Sequence, residues 1–92
     1  MAADEHKWFD HPVAIMAGRH SWTRQDITST RQAAEYLLYK WPEQRGSKHL
    51  AARKACMAVL DGLKDVRTAR KAFAAAAAEA DILCDVQPKA FK

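Results

Sequence analysis

The sequence predicts an α+β fold in which an N-terminal β-hairpin packs on three α-helices. Two segments rich in β-forming residues, 8–17 and 21–28, are separated by a short turn, and this order is typical of a hairpin. Three later segments carry apolar residues at helical spacing, and start and stop signals separate them. Because an isolated hairpin is only marginally stable in water, its apolar face is expected to rest on the helices.

The hairpin is predicted from side-chain alternation and from its turn. Val13 and Ile15 lie on one face of the first strand, and Gly18-Arg19-His20 can reverse the chain. The second strand contains four residues that favour extended backbone: Trp22, Thr23, Ile27 and Thr28.

Helix one is predicted over 30–41. Ser29 and Gln32 have the spacing of a capping box, which satisfies free N–H groups at a helix start. The helix is expected to end at Trp41-Pro42, because proline disfavours helical geometry in the residue before it. Its inward stripe is Ala33, Ala34, Leu37, Leu38 and Trp41.

Helix two is predicted over 48–61, opened by Gly46-Ser47 and closed by Asp61-Gly62. Helix three is predicted over 66–83, with Asp65 as its cap. The apolar face of helix two is Ala52, Ala55, Cys56, Val59 and Leu60, with Leu63 packing just past its end. The apolar seam of helix three is Val66, Ala69, Phe73, Ala76, Ala80 and Leu83.

Length and composition indicate a single domain over 8–85 with flexible termini, 1–7 and 86–92. About half of the residues are apolar and 28% are charged, which excludes disorder for most of the chain. Charges interrupt every apolar run, so no membrane span is expected, and the N-terminus does not resemble a secretory signal. A cytoplasmic location follows, in which Cys56 and Cys84 are expected to be reduced, buried residues.

Several short strings together resemble a small alphaproteobacterial family, the domain of unknown function nine-eight-two, over roughly residues 10–83. The resemblance implies a compact, mostly helical, stand-alone bacterial protein, and it brings no activity, cofactor or catalytic residue. The strings are Ile27-Thr28-Ser29, Ala33-Ala34, Trp41-Pro42, Gly46, Ala52, Cys56, Leu60-Asp61-Gly62, Ala69-Arg70-Lys71-Ala72-Phe73, Ala77 and Glu79-Ala80.

Positive charge is concentrated in the middle of the chain, where residues 31–64 hold seven basic and three acidic side chains. Several cations stand at the start of helix two, whose free N–H groups and dipole already favour an anion. An anionic ligand such as phosphate, or an acidic partner, is therefore one hypothesis. A solvated basic loop is the other. The candidate binding residues are Arg45, Ser47, Lys48, His49 and Arg53.

Helices two and three also allow a helix-turn-helix interpretation, because Asp61-Gly62-Leu63-Lys64 is a turn of suitable length. Arg67, Arg70 and Lys71 stand in the first turns of helix three, where a recognition helix would contact DNA. Against this, Asp65 would approach the phosphates, and no Asn or Gln accompanies the arginines to read adenine. DNA binding is thus the alternative function, and a solvated basic face is the simpler explanation.

The sequence offers little support for a metal, a cofactor or catalysis. His6, Asp10 and His11 lie near one another, but no H-x-x-x-H or C-x-x-C spacing accompanies them. The remaining histidines and two helical carboxylates are expected to be solvent-exposed: His20, His49, Glu35 and Glu79. No metal site or cofactor is predicted, and the chain is not expected to be an enzyme.

The seam of helix three either packs inside the chain or contributes to an interface. Aromatic residues favour interfaces, and the candidates here are Trp8, Phe9 and Trp22. Together with the basic cluster, this predicts a non-enzymatic interaction or regulatory module. Its partner would be an unknown protein or a second copy of the chain, with nucleic acid as the alternative and no membrane.

Overall fold

The computed structural model describes residues 7–17, 23–41 and 46–84. An antiparallel hairpin precedes three helices, so the predicted α+β arrangement is confirmed. The elements are β1 (Trp8–Ala17), β2 (Thr23–Ser29), α1 (Thr30–Glu35), a π-helical segment (Tyr36–Lys40) that continues α1, α2 (Ser47–Leu60) and α3 (Val66–Glu79). Predictions about Trp22, Gly18-Arg19-His20, most of the two termini and Arg45 concern positions outside the described residues.

The two strands pair with Val13 opposite Ile27 and Ile15 opposite Gln25. The register shifts between Trp8 and Val13, a stretch that contains a proline with no N–H to donate to a sheet. The inward face of the hairpin consists of buried apolar residues that join the core made by the helices: Phe9, Val13, Ile15 and Ile27. This burial excludes Phe9 from the interface role suggested for it, whereas Trp8 is about half exposed.

The start of α1 is confirmed. The backbone N–H of Gln32 donates to Ser29 Oγ at 3.0 Å. The Gln32 side chain reaches back and accepts from the Thr28 N–H at 2.8 Å, one residue before the position of a standard capping box. The predicted single helix over 30–41 is wrong in its second half, where the chain widens into the π-helical segment before Trp41 becomes extended.

The end of α2 is formed by Gly62, which adopts the left-handed conformation with φ of +83°. Its N–H donates to the Val59 carbonyl at 3.0 Å, and the Leu63 N–H donates to the Ala58 carbonyl at 2.8 Å. This pair of bonds is a Schellman motif, the geometry for which glycine is favoured. The expected packing of Leu63 into the core is wrong, because the turn leaves its side chain 75% exposed on the outer side of α2.

The predicted cap of α3 is only partly correct. Asp65 precedes the first helical residue with extended backbone, but its carboxylate makes no capping hydrogen bond to a backbone N–H in the first turn of α3, all of which the structure describes. The carboxylate instead pairs with Arg67 Nε at 3.4 Å. The exposed pair contributes little to stability.

The predicted end of helix three at residue 83 is wrong. The helix ends at Glu79, and Asp81 takes a left-handed conformation with φ of 63°. The Ile82 N–H then donates to the Ala77 carbonyl at 2.9 Å, which completes a second Schellman motif with aspartate where glycine is usual. The apolar spacing predicts a longer helix because Leu83 stands at a position that would continue the seam.

Residues after α3 instead extend the sheet along the free side of β1. Leu83 forms a bridge with Ile15. The Met16 N–H donates to the Ile82 carbonyl at 2.8 Å, and the Cys84 N–H donates to the Ala14 carbonyl at 2.9 Å. The buried side chain of Ile82 therefore closes the core where the last helix meets the hairpin.

The core lies between the hairpin and the helices, and small residues bring α2 close to α3. Phe73 is its largest fully buried side chain, and its ring lies 5.6 Å from that of Trp41 in an edge arrangement. The apolar seam of helix three thus packs inside the chain, which was one of the two expected alternatives. Its fully buried members are Ala69, Phe73 and Ala76.

Candidate functional site

The start of α2 does not bring the predicted anion-binding residues together as a set. Ser47 and Lys48 are exposed in its first turn, and Arg53 is exposed one and a half turns later. His49 is only 3% exposed. Arg45 lies outside the described residues. Binding of an anion at this position stays a prediction, now without the His49 ring as a surface cation.

A carboxylate from the same chain already occupies the start of α2. Glu79, at the end of α3, accepts a hydrogen bond from the Lys48 backbone N–H through Oε1 at 3.1 Å. Gly46 permits this approach, since a Cβ there would lie 2.6 Å from Glu79 Oε2. Glu79 is exposed, as expected, but it also accepts from one free N–H of α2, and its charge lies where the helix dipole favours an anion.

His49 has a structural role, and the expectation that it is exposed is wrong. Its Nε2 lies 2.9 Å from the Leu37 carbonyl oxygen; since a carbonyl only accepts, this nitrogen carries the hydrogen. This hydrogen bond ties α2 to the π-helical segment. The ring also contacts Trp41 at a centroid distance of 5.6 Å.

The residues predicted to read DNA are separated by their contacts. Arg70 Nε donates to the His11 carbonyl at 2.7 Å, so this side chain ties α3 to β1. Arg67 pairs with Asp65, and Lys71 is exposed. DNA binding through these three residues stays a prediction, with Arg70 engaged inside the fold.

The structure contains a groove that is absent from the sequence-based predictions. It has a volume of about 600 Å³ and runs along the outer side of α2, and we call it the α2 groove. One wall is the α2 residues Leu50, Arg53, Lys54, Met57, Ala58 and Asp61. The other wall comes from Ala34 and Leu38, and Leu63 closes one end.

Large apolar side chains are exposed in the α2 groove. Met57 is 52% exposed, Leu50 is 48% exposed and Leu38 is 41% exposed. The signal for this surface is present in the sequence, because Leu50 and Met57 are separated by seven residues and so share one face of a helix. Helical spacing thus predicts two apolar stripes on α2, an inward one and a second one on its outer face.

The α2 groove is bordered by charges of mostly one sign. Arg53 and Lys54 line it near the middle of α2, and Asp61 lines it where the helix ends. Within 7–17, 23–41 and 46–84, neither cation forms an ion pair. Both charges are therefore available to a ligand.

The two cysteines are free, and the chemistry of Cys56 is suppressed by its surroundings. Its side chain is fully buried, and this desolvation raises the pKa of the thiol to about 12. Cys84 is half-buried beside β1. Across the described part of the chain, His, Cys, Asp and Glu side chains form no group of three that could hold a metal ion.

The described helices are also too short and too polar for any of them to cross a lipid bilayer.

Comparison with known proteins gives a family and a structural relative. No curated protein matches the chain. The NMR structure of the Agrobacterium tumefaciens protein Atu1219 is similar, with a TM-score of 0.74 and 26% sequence identity. The match covers 100% of this chain and 89% of that one. The family model described as a protein of unknown function, DUF982, matches residues 11–84, so the chain belongs to the DUF982 family.

Proposed function

We propose that this protein is a non-catalytic module that binds another protein in the α2 groove. The observation that carries the proposal is the grouping of Leu38, Leu50 and Met57, each about half exposed, beside two cations. Contiguous exposed apolar surface with a polar rim is a feature of protein-binding sites. Single exposed apolar residues would need no explanation, but these line one groove.

The α2 groove is built on a firmly held helix. Glu79 accepts from one N–H in the first turn of α2, and the Schellman motif at Gly62 closes the other end of the helix. The opposite face of α2 is buried in the core through Ala52, Cys56 and Val59. A surface held in this way loses little conformational freedom when a partner binds, which favours affinity.

Part of the basic cluster predicted to attract an acidic partner lines the α2 groove. Arg53 belongs to the predicted set and lines the α2 groove, and Lys54 adds a second charge beside it. The start of α2 is a weaker candidate for an external anion because Glu79 already lies there. The proposal therefore places the acidic partner along the side of α2.

Site-specific photo-crosslinking in cells of the native host tests this proposal. A photoreactive residue replaces Met57, and a control chain carries it at Thr68, an exposed position on α3. The Met57 chain is expected to form a protein adduct that the Thr68 chain does not form. Reversing the charges of Arg53 and Lys54 should weaken that adduct. Absence of an adduct at Met57, or the same adducts at both positions, would reject the proposal.

A further inference from the structure

We infer that the occupant of the α2 groove is an amphipathic α-helix of a partner protein, with acidic residues along one edge. This inference rests on the proposed function and adds the structural class and charge of the bound segment. The first step is the shape of the lining. Residues of α2 line the groove at successive intervals of three and four, from Leu50 to Asp61. This spacing forms the ridge that another helix packs against.

The length of the lining matches a short helix. Leu50 and Asp61 are eleven residues apart, so the α2 wall is about 16 Å long at the usual rise per residue. A bound helix of about three turns would cover it. Both walls are helical and present side chains, so an extended strand would gain no ladder of backbone hydrogen bonds in the groove.

The distribution of large and small side chains leaves room for such a helix. Ala34 and Ala58 are small and lie on opposite walls, so they allow close approach. Met57 lies at the middle of the α2 wall, and its flexible thioether can adapt to the partner side chains. The bound helix is therefore expected to carry apolar residues at i, i+3 or i+4, and i+7.

The charges that line the α2 groove determine where the acidic residues of the bound helix lie. Arg53 and Lys54 attract carboxylates, whereas Asp61 repels them at the end of α2. Asp61 lies seven residues beyond Lys54, about 10 Å along the helix. Acidic residues of the partner are thus expected beside Arg53 and Lys54, and away from Asp61.

A second copy of this chain fits the α2 groove poorly. The chain carries a net charge of +4. In a two-fold dimer through this face, the same patch would meet itself and bring the four cations of the two grooves together. An acidic helix of a different protein relieves that repulsion.

Selection from a displayed library of helical peptides of about fourteen residues tests the inference with the full-length protein as bait. Enriched peptides are expected to carry the apolar spacing given above with Glu or Asp beside it. Their affinity is expected to fall at least about tenfold in the Arg53→Glu, Lys54→Glu double variant, because like charges would then face each other. Peptides in which Lys replaces the acids should regain affinity for that variant. Lys71→Glu on α3 is the matched charge control and should change nothing.

Enrichment of basic peptides, of peptides without helical spacing, or of none at all would overturn the inference. Binding that is unaffected by Met57→Glu would overturn it too; Met57 is exposed, and thermal melting verifies that this variant folds. Flotation with phosphatidylglycerol vesicles, without peptide enrichment, would replace the helix with a membrane surface. If crosslinking at Met57 identifies a partner while the selection fails, protein binding stands and only the helical occupant is rejected.

Discussion

At the scale of single residues, His49 shows how one side chain stabilises an irregular helix. The π-helical segment that continues α1 receives a side-chain hydrogen bond at the Leu37 carbonyl. The His49 ring donates this bond from α2 and packs on Trp41. His49, which was expected from the sequence to be an exposed cation, thus links α2 to the π-helical segment.

Replacing His49 by phenylalanine is expected to destabilise the protein by about 1–3 kcal/mol. Phenylalanine keeps an aromatic ring beside Trp41 but removes the buried hydrogen bond to the Leu37 carbonyl. Urea unfolding followed by far-UV circular dichroism measures the loss. His49→Gln is the matched control, since its amide can donate in place of Nε2 and should lose less. Equal stability of the phenylalanine variant and the parent would contradict this role.

The buried thiol of Cys56 is expected to make the protein sensitive to alkali. Burial disfavours the thiolate and raises the folded-state pKa of Cys56 from 9.0, the ordinary value of a thiol, to about 12. The unfolded chain therefore ionises first as the pH rises, and its loss of the proton favours unfolding. The stabilising contribution is complete below the unfolded pKa and is lost progressively between these two values, by about 1.4 kcal/mol per pH unit.

The free energy of unfolding at pH 8 and pH 10.5, compared between parent and variants, measures this effect. Cys56→Ala should show a smaller loss of stability than the parent over that interval. Cys84→Ala is the matched control, because it removes the other thiol of the chain. Parallel losses in the parent and Cys56→Ala would show that other groups cause the alkaline sensitivity.

At the scale of helices and strands, the start or end of a helix can be predicted from the sequence only when the residues that form it are close neighbours in the chain. Ser29 and Gly62 are such cases, since the cap and the left-handed turn involve residues within a few positions. The end of α3 was missed because Asp81 is an unusual residue for a left-handed position. Pairing of Leu83 with Ile15 depends on the tertiary fold, and no local sequence pattern predicts it.

The contact between Glu79 and the start of α2 is expected to couple two helix ends. Glu79→Ala should cost about 0.5–2 kcal/mol, the usual range for losing a cap, because the Lys48 N–H loses its acceptor. Gly46→Ala should cost a similar amount by displacing the same carboxylate.

A double-mutant cycle distinguishes this coupling from two independent effects. Once Glu79 is alanine, adding Gly46→Ala should cost much less than it does in the parent, because no carboxylate remains to be displaced. Chemical denaturation of the four proteins supplies the free energies. Additive losses would mean that the two residues act separately.

At the scale of the whole molecule, α2 has one face buried in the core and one apolar face exposed in the proposed binding groove. Its inner face, with Cys56 and Val59, was predicted correctly from helical periodicity, because burial of apolar stripes follows from spacing alone. Its outer face was not, because whether Leu50 and Met57 are covered depends on where α1 and the π-helical segment lie. The proposed binding site could not be derived from the sequence for the same reason.

Substitutions on the two faces of α2 should therefore have opposite effects. Met57→Gln is expected to change the free energy of unfolding by less than about 0.5 kcal/mol, as for an exposed position. The same substitution should abolish capture by a photoreactive residue placed at Leu50. Val59→Ala, two positions along the same helix and fully buried, should cost about 1–3 kcal/mol by leaving a cavity. At temperatures where it remains folded, Val59→Ala should keep the adduct, because the outer face is unchanged. A loss of stability in Met57→Gln equal to that in Val59→Ala would show that the outer apolar stripe belongs to the core, and the separation of the two faces would fail.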